Sequence, residues 1–200
     1  QVFRLGSGPA VLVLSEIPGI TPAVADFARR VSDLGCTAVL PSMFGTPGQE
    51  VSPGYIAQSM AHACVSKEFA TWARNQTSPL TTWLKALARE EHARCGGPGV
   101  GVVGMCLTGG FALAMMVDPV VAAPVLSQPS LPFVLTKGHR ADVNLSPADL
   151  RAVKDRCAAE PDLCVLGLRF TGDRLAPGER FATLRRELGD SFVGVEIDSS

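Results

Sequence analysis

Short, almost wholly apolar runs alternate along this chain with stretches whose apolar residues recur at helical spacing. Residues 10–15 (AVLVLS) have the composition of a strand that is buried on both faces of a parallel sheet. Residues 23–34 carry apolar side chains at helical spacing and precede Gly35, a helix stop signal. Residues 37–40 are a second buried strand, so the three segments predict a β-α-β unit.

The same alternation continues to the end of the sequence. Further strands are predicted at residues 1–5, 100–104, 120–126, 163–170 and 191–198, and further helices at residues 55–74, 79–95, 111–116, 146–159 and 177–188. Trp72 and Trp83, on two of these helices, are expected to pack on the sheet. We therefore predict an α/β fold, with a doubly wound, mostly parallel sheet flanked by helices, as a single domain over residues 1–200.

Composition excludes several classes of partner. Lys and Arg number 18 against 19 Asp and Glu, and no basic run occurs, so nucleic acid is not an expected partner. The longest apolar runs are interrupted and fall short of the roughly 20 residues that a membrane helix needs. The chain opens without a charged and apolar leader pattern, and we expect a cytoplasmic protein. The six cysteines show no zinc-binding spacing, which predicts reduced thiols and no metal.

One cysteine occupies a position suited to a nucleophile. The run that begins at Val100 stops at Gly104, Cys106 follows, and Gly109 and Gly110 lead into a segment of helix formers. This pattern predicts a strand, a sharp turn and a helix, with an exposed Cys106 biased toward thiolate by the free N–H groups of the helix start. The alternative is a core cysteine, because free cysteines are among the most buried residues.

Two acidic residues are predicted to lie at the ends of other strands. Glu16 follows residues 10–15, and Asp173 follows residues 163–170, 67 residues after Cys106 (173 − 106). Open α/β sheets place their sites at the carboxyl ends of strands, although a lone Glu is more often a solvated loop acid. Asp118 and Asp142 remain alternatives to Asp173.

Three segments together resemble the dienelactone hydrolase family of α/β-hydrolases. Residues 11–19 (VLVLSEIPG) are similar to the family's first strand and glutamate, and residues 104–110 (GMCLTGG) are similar to its cysteine elbow. Gly172 and Asp173, with Pro177 behind them, resemble its acid loop.

The resemblance implies a cysteine hydrolase of small esters or lactones that needs no metal or organic cofactor. Cys106 would be the nucleophile, Asp173 would orient the catalytic histidine, and the backbone N–H groups of Leu107 and Ile17 would form the oxyanion hole. Glu16 would hold the resting thiol and help generate the thiolate when substrate displaces it. A small-molecule ester or lactone would be the expected partner, and the resemblance leaves the oligomeric state open.

The sequence departs from the family pattern at two places. Thr108 stands where the family elbow carries glycine, so we expect strain in the turn. The histidine that the family supplies after its last strand is expected to follow Ser200, because the three histidines present all precede Asp173. The three histidines are His62, His92 and His139. The candidate substrate-binding arginines are Arg74, Arg140 and Arg174.

These departures favour a second hypothesis, a catalytically silent α/β-hydrolase-fold protein that binds a small ligand or partner at the same cleft. A third hypothesis places Cys106 in the core and the site elsewhere.

Overall fold

A seven-stranded sheet forms the centre of the computed structural model, which describes residues 1–65, 78–131 and 140–199. The strands are β1 (Val2–Gly6), β2 (Ala10–Leu14), β3 (Thr37–Pro41), β4 (Val100–Met105), β5 (Val121–Ser127), β6 (Val165–Phe170) and β7 (Phe192–Ile197). They lie in the order β1-β3-β2-β4-β5-β6-β7. All neighbouring pairs are parallel except β1 with β3, so the prediction of a mostly parallel sheet is confirmed.

Helices connect most of these strands. They are α1 (Pro22–Asp33), α2 (Pro53–Val65), α3 (Pro79–Cys95), α4 (Gly109–Met115), α5 (Pro147–Ala159) and α6 (Gly178–Leu188), with 3-10 turns at Cys106–Thr108 and Gly189–Ser191. The helix predicted at residues 55–74 corresponds to α2 as far as Val65, and its remainder lies outside the described residues. Within the described ranges, no helix is both long and apolar enough to cross a bilayer.

The sheet is covered on both faces, as the composition of its central strands requires. In β2, Leu12 and Leu14 pack into a core with α3 and α4, whereas Val13 points to the opposite face. There it joins a second core with Val24 and Ala28 of α1. A strand with two buried faces needs apolar side chains at consecutive positions, which explains the run AVLVL.

Three helices begin with the capping chemistry that their sequences indicate. The side chains of Thr21, Ser78 and Ser146 each accept a hydrogen bond from a backbone N–H of the first turn, at 3.3, 3.2 and 3.0 Å. A proline follows each cap. Proline has no backbone N–H, but at the first position of a helix an N–H would have no helical acceptor, so no hydrogen bond is lost. These caps fix where α1, α3 and α5 start.

The expected packing of Trp83 against the sheet is wrong. Helix α3 buries Leu84, Leu87, Ala88 and Glu91, a stripe at helical spacing, and this leaves Trp83 42% exposed. Trp72 lies outside the described residues.

Arg156 of α5 connects that helix to the segment between α4 and β5. Its Nη1 donates to the carbonyl oxygens of Met116, Asp118 and Val121 at 2.5, 2.8 and 2.9 Å, and its Nη2 donates to that of Pro119 at 3.2 Å. These carbonyls follow the end of α4 or begin β5, where the helix ladder no longer supplies donors. The guanidinium therefore fixes α4, the helix that follows Cys106.

We expect Arg156→Lys to lower the free energy of unfolding by about 2 kcal/mol, because one ammonium cannot replace a planar fork that reaches four carbonyls. Urea unfolding measures the change. Arg151→Lys, an exposed site on the same helix, is the matched control and should change stability by less than about 0.5 kcal/mol. Equal effects of the two substitutions would contradict the role assigned to Arg156.

Candidate active site

Four adjacent parallel strands bring the candidate residues to one edge of the sheet. Glu16 follows β2, Cys106 follows β4 and Asp173 follows β6. Leu14 pairs with Gly104, so Glu16 and Cys106 lie two residues beyond paired positions on neighbouring strands. Neighbouring strands are about 5 Å apart. The three predicted residues therefore lie at the same edge, and the charges of both acids act on the Cys106 sulfur.

Cys106 lies at the sharp turn that the sequence predicts. Its φ is +54°, in the left-handed region, between the last residue of β4 and the helix α4. A side chain other than glycine in this region costs about 1–3 kcal/mol and is concentrated at functional sites. The turn lifts the sulfur away from the strand and toward the edge of the sheet.

The glycines of this turn are required by close approaches of the backbone. A Cβ at Gly104 would lie 2.3 Å from the carbonyl oxygen of Thr108, and a Cβ at Gly109 would lie 2.8 Å from Cβ of Pro129. A side chain at position 104 would therefore push β4 away from the turn.

The strain expected at Thr108 is absent. Its φ is −81°, an ordinary value, and its side chain is fully buried. The Oγ1 atom accepts the N–H of Met105 at 2.8 Å and lies 2.8 Å from the carbonyl oxygen of Leu14 and 2.9 Å from that of Met105. Threonine replaces glycine here because its hydroxyl finds partners at the ends of both β2 and β4.

The Cys106 sulfur is partly buried and lies 2.9 Å from Oγ of Ser130, whose N–H donates to the Cys106 carbonyl at 2.9 Å. Burial raises the pKa of the thiol above its ordinary value, and the negative charges of Glu16 and Asp173 raise it further. Hydrogen bonds from Ser130 and from the Leu107 N–H oppose that rise in pKa without cancelling it.

The resting sulfur is consequently a thiol at neutral pH, and the expected bias toward thiolate is wrong. That expectation considered the turn and the helix start alone. Burial and the two acidic charges raise the pKa of Cys106 more than the turn and the helix start lower it. The residues responsible belong to segments distant in the sequence. The thiol is nevertheless the resting state that the family resemblance implies.

Glu16 is not a solvated loop acid. Burial raises the pKa of its carboxyl group, and a hydrogen bond from the Gln128 side chain opposes the rise. Gln128 is the first residue after β5 and has a φ of +36°. Sequence reasoning missed this residue and Ser130, although the end of β5 lies beside β4 in the predicted kind of sheet.

Asp173 lies in the loop between β6 and α6, three residues after Phe170. Its Oδ1 accepts the N–H groups of Leu175 and Ala176 at 2.8 and 3.2 Å, which fixes the carboxylate in a local turn. Asp118 lies between α4 and β5 at the opposite end of the sheet, 2.7 Å from Arg89. Asp142 remains an alternative acid, and its Oδ1 accepts the N–H of Asn144 at 2.7 Å.

His92 lies in the last turn of α3, which precedes β4, whereas Cys106 follows β4. The length of that strand, about 16 Å, therefore separates the two residues. His139 and Arg74 lie outside the described residues, and the description leaves out the side chain of His62. Arg140 is paired with Glu179 at 2.7 Å, and Arg174 is exposed.

Within the described residues, no group of three or more His, Cys, Asp or Glu side chains is placed to hold a metal ion. The described cysteines are free thiols, namely Cys36, Cys95, Cys106, Cys157 and Cys164.

The sheet, its helices and the turn at Cys106 define an α/β-hydrolase fold, and solved structures share it. A candidate dienelactone hydrolase from Klebsiella pneumoniae subsp. pneumoniae is similar over 100% of this chain and 81% of its own, with 17% identity and a TM-score of 0.63. A dienelactone hydrolase-like promiscuous phosphotriesterase from metagenomic libraries matches 98% of this chain and 72% of its own, with 19% identity and a TM-score of 0.60. A Thermus thermophilus protein matches 100% and 84%, with 15% identity and a TM-score of 0.59.

The sequence itself gives the family. The model of the dienelactone hydrolase family matches residues 4–139, more than half of the chain. The chain belongs to the dienelactone hydrolase family, and its class is that of the hydrolases. No curated protein matches the chain by sequence.

We expect Thr108→Val to lower the free energy of unfolding by about 1–3 kcal/mol, because it leaves the Met105 N–H and the Leu14 carbonyl without the hydroxyl as partner. Thr108→Ser keeps the hydroxyl and should retain most of the stability. Urea unfolding of both variants provides the measurement, and equal losses would show that the methyl group matters rather than the hydrogen bonds.

Proposed function

We propose that this protein is a cysteine-dependent hydrolase of small esters or lactones, with Cys106 as its nucleophile. The observation that carries the proposal is the left-handed turn that presents Cys106 at the carboxyl edge of the sheet, where the charges of Glu16 and Asp173 act on its sulfur. Membership of the dienelactone hydrolase family supports the hydrolase class. It does not favour a catalytically silent binding protein.

In the proposed reaction, the Cys106 sulfur forms a bond to the carbonyl carbon of the substrate, and the carbonyl oxygen takes the displaced electron pair. The backbone N–H groups of Leu107 and Ile17 would stabilise this oxyanion by a few kcal/mol. The N–H of Leu107 already contacts the sulfur in the resting state. This N–H donor is therefore next to the atom that attacks the carbonyl.

Glu16 is the proposed acceptor of the thiol proton. Burial raises the pKa of its carboxyl group, which makes it a stronger base than an exposed glutamate. An entering substrate would exclude more water and displace Glu16 toward the sulfur, so the thiolate would form where a carbonyl is ready to be attacked.

Collapse of the tetrahedral intermediate breaks the bond between the carbonyl carbon and the ester oxygen. The leaving alkoxide takes a proton from a protonated histidine that Asp173 orients and that we predict to follow Ser200. Water then attacks the thioester and gives one proton back to that histidine, and the Cys106 sulfur leaves with the proton that Glu16 holds. These steps release the carboxylic acid and restore the Cys106 thiol. No metal or organic cofactor takes part in these steps.

We expect Cys106→Ala to reduce hydrolysis of p-nitrophenyl acetate and of δ-valerolactone by about 10³-fold or more, because the covalent route is lost. Cys164→Ala, at an exposed cysteine, is the matched control and should hydrolyse both substrates at the wild-type rate. Intact-mass spectrometry after an acid quench should detect an acetyl group on the wild-type protein and none on Cys106→Ala. Wild-type turnover by Cys106→Ala would overturn the proposal.

We expect Glu16→Gln to change alkylation and turnover in opposite directions. The negative charge of Glu16 raises the pKa of Cys106, so removing it lowers that pKa and speeds reaction with iodoacetamide at a given pH. The same substitution removes the proposed proton acceptor and should slow ester hydrolysis. The pH dependence of both rates, measured from pH 6 to 10, tests this prediction. Parallel changes in the two rates would contradict the role of Glu16 as the proton acceptor.

A further inference from the structure

The segment that follows β5 contacts both of the chemically important side chains. Gln128 donates a hydrogen bond to Glu16, and Ser130 lies against the sulfur of Cys106. Neither residue belongs to the three motifs that carry the family resemblance.

Gln128 is held in one orientation by its neighbours. The hydroxyl of Ser127 donates to Oε1 of Gln128, which leaves the amide nitrogen, a donor only, to face the carboxylate of Glu16. The backbone N–H of Gln128 donates to the carbonyl of Leu168 in β6 at 2.7 Å. These two hydrogen bonds hold Gln128 in its left-handed conformation, with φ +36°.

Ser130 is similarly restrained, and its side chain meets the reacting atom. The residue is 7% exposed, its Oγ lies 2.9 Å from the Cys106 sulfur, and its N–H donates to the carbonyl of Cys106. A hydroxyl in this position donates to a thiolate once the thiol proton has left. That hydrogen bond is charge-assisted and stronger than the resting contact.

A buried arginine holds the segment in place. Arg180 is 3% exposed, and its Nη1 donates to the carbonyl of Pro129 at 2.5 Å, between the two residues in question. The same guanidinium contacts the carbonyls of Asp142 at 2.6 Å and Leu175 at 3.4 Å. Burial lowers the pKa of Arg180 to about 10, so it remains charged at neutral pH.

We propose that Ser130 is a further catalytic residue that stabilises the Cys106 thiolate, and that Gln128 is a positioning residue that holds the carboxylate of Glu16 at the carboxyl edge of the sheet. The inference rests on the proposed function, in which Cys106 attacks and Glu16 takes its proton. Arg180 serves both residues because it fixes the backbone between them.

The test of Ser130 uses Cys106 alkylation, which requires no substrate turnover. Ser130 lowers the pKa of the sulfur, so Ser130→Ala should raise that pKa and slow reaction with iodoacetamide at pH 8 on the order of tenfold. Ser130→Thr keeps the hydroxyl and should restore the wild-type profile. Peptide mapping reports Cys164 in the same samples, and its labelling should not change.

Ser130→Gly is a second variant that removes the hydroxyl and leaves the backbone N–H, in case the alanine variant does not fold. Alkylation profiles of Ser130→Ala or Ser130→Gly that match the wild type would overturn the role of Ser130.

The test of Gln128 is the acid limb of the pH–rate profile for p-nitrophenyl acetate hydrolysis. Gln128→Leu removes the hydrogen bond that lowers the pKa of Glu16, so the limb should move to higher pH. Gln128→Glu keeps the size and adds a like charge, and should move the limb further in the same direction. A loss of rate that is equal at every pH would indicate a structural role and overturn the assignment.

The two proposals fail in distinguishable ways. Wild-type hydrolysis by Cys106→Ala would overturn the proposed function, whereas the alkylation profile of Ser130→Ala reports on the sulfur in either case. Loss of hydrolysis in Cys106→Ala together with unchanged profiles in the Ser130 and Gln128 variants would keep the function and overturn this inference.

Discussion

The position of Cys106 depends on one buried hydroxyl. Oγ1 of Thr108 joins the end of β4 to the end of β2 through Met105 and Leu14, and Glu16 lies two residues beyond Leu14. The same hydrogen bonds therefore fix the positions of Cys106 and Glu16 at the ends of adjacent strands. Gly104 completes this arrangement, because only a residue without a Cβ lets the Thr108 carbonyl approach β4 so closely.

Burial gives the site its electrostatic character. It raises the pKa of both Glu16 and Cys106, since each would have to carry its charge in a poorly solvated place. Two acids that resist ionisation for the same reason exchange a proton more readily than an exposed carboxylate and a buried thiol would. The hydrogen bonds from Gln128 to Glu16 and from Ser130 to Cys106 limit the cost of burying a charge at each position. In the proton exchange, only one of the two groups is charged at a time.

The sequence was a good guide to the fold because the signals involved are local. Alternating apolar runs predict the strands, and Ser78 and Ser146, each with a proline behind it, mark the starts of two helices. The carboxyl ends of parallel strands meet at one edge, which places Glu16, Cys106 and Asp173 together. The prediction that Trp83 packs on the sheet is wrong because the exposure of this side chain depends on its position relative to the buried stripe of α3. Its size does not decide it.

The rest of the site depends on contacts that no local pattern carries. Gln128 reaches Glu16 through a left-handed backbone that glutamine seldom adopts, and Arg180 reaches Pro129 across 51 residues of sequence. The protonation of Cys106 likewise follows from burial by separate strands.

The protonation of the Cys106 sulfur has a consequence for the lifetime of the protein. Peroxide and other oxidants react with thiolates far faster than with thiols, and oxidation beyond the sulfenic acid is irreversible for most proteins. In the proposed mechanism the Cys106 sulfur stays a thiol until substrate binds, so it spends little time in the vulnerable form. In that mechanism, the raised pKa of Cys106 thus protects the residue chemically between turnovers.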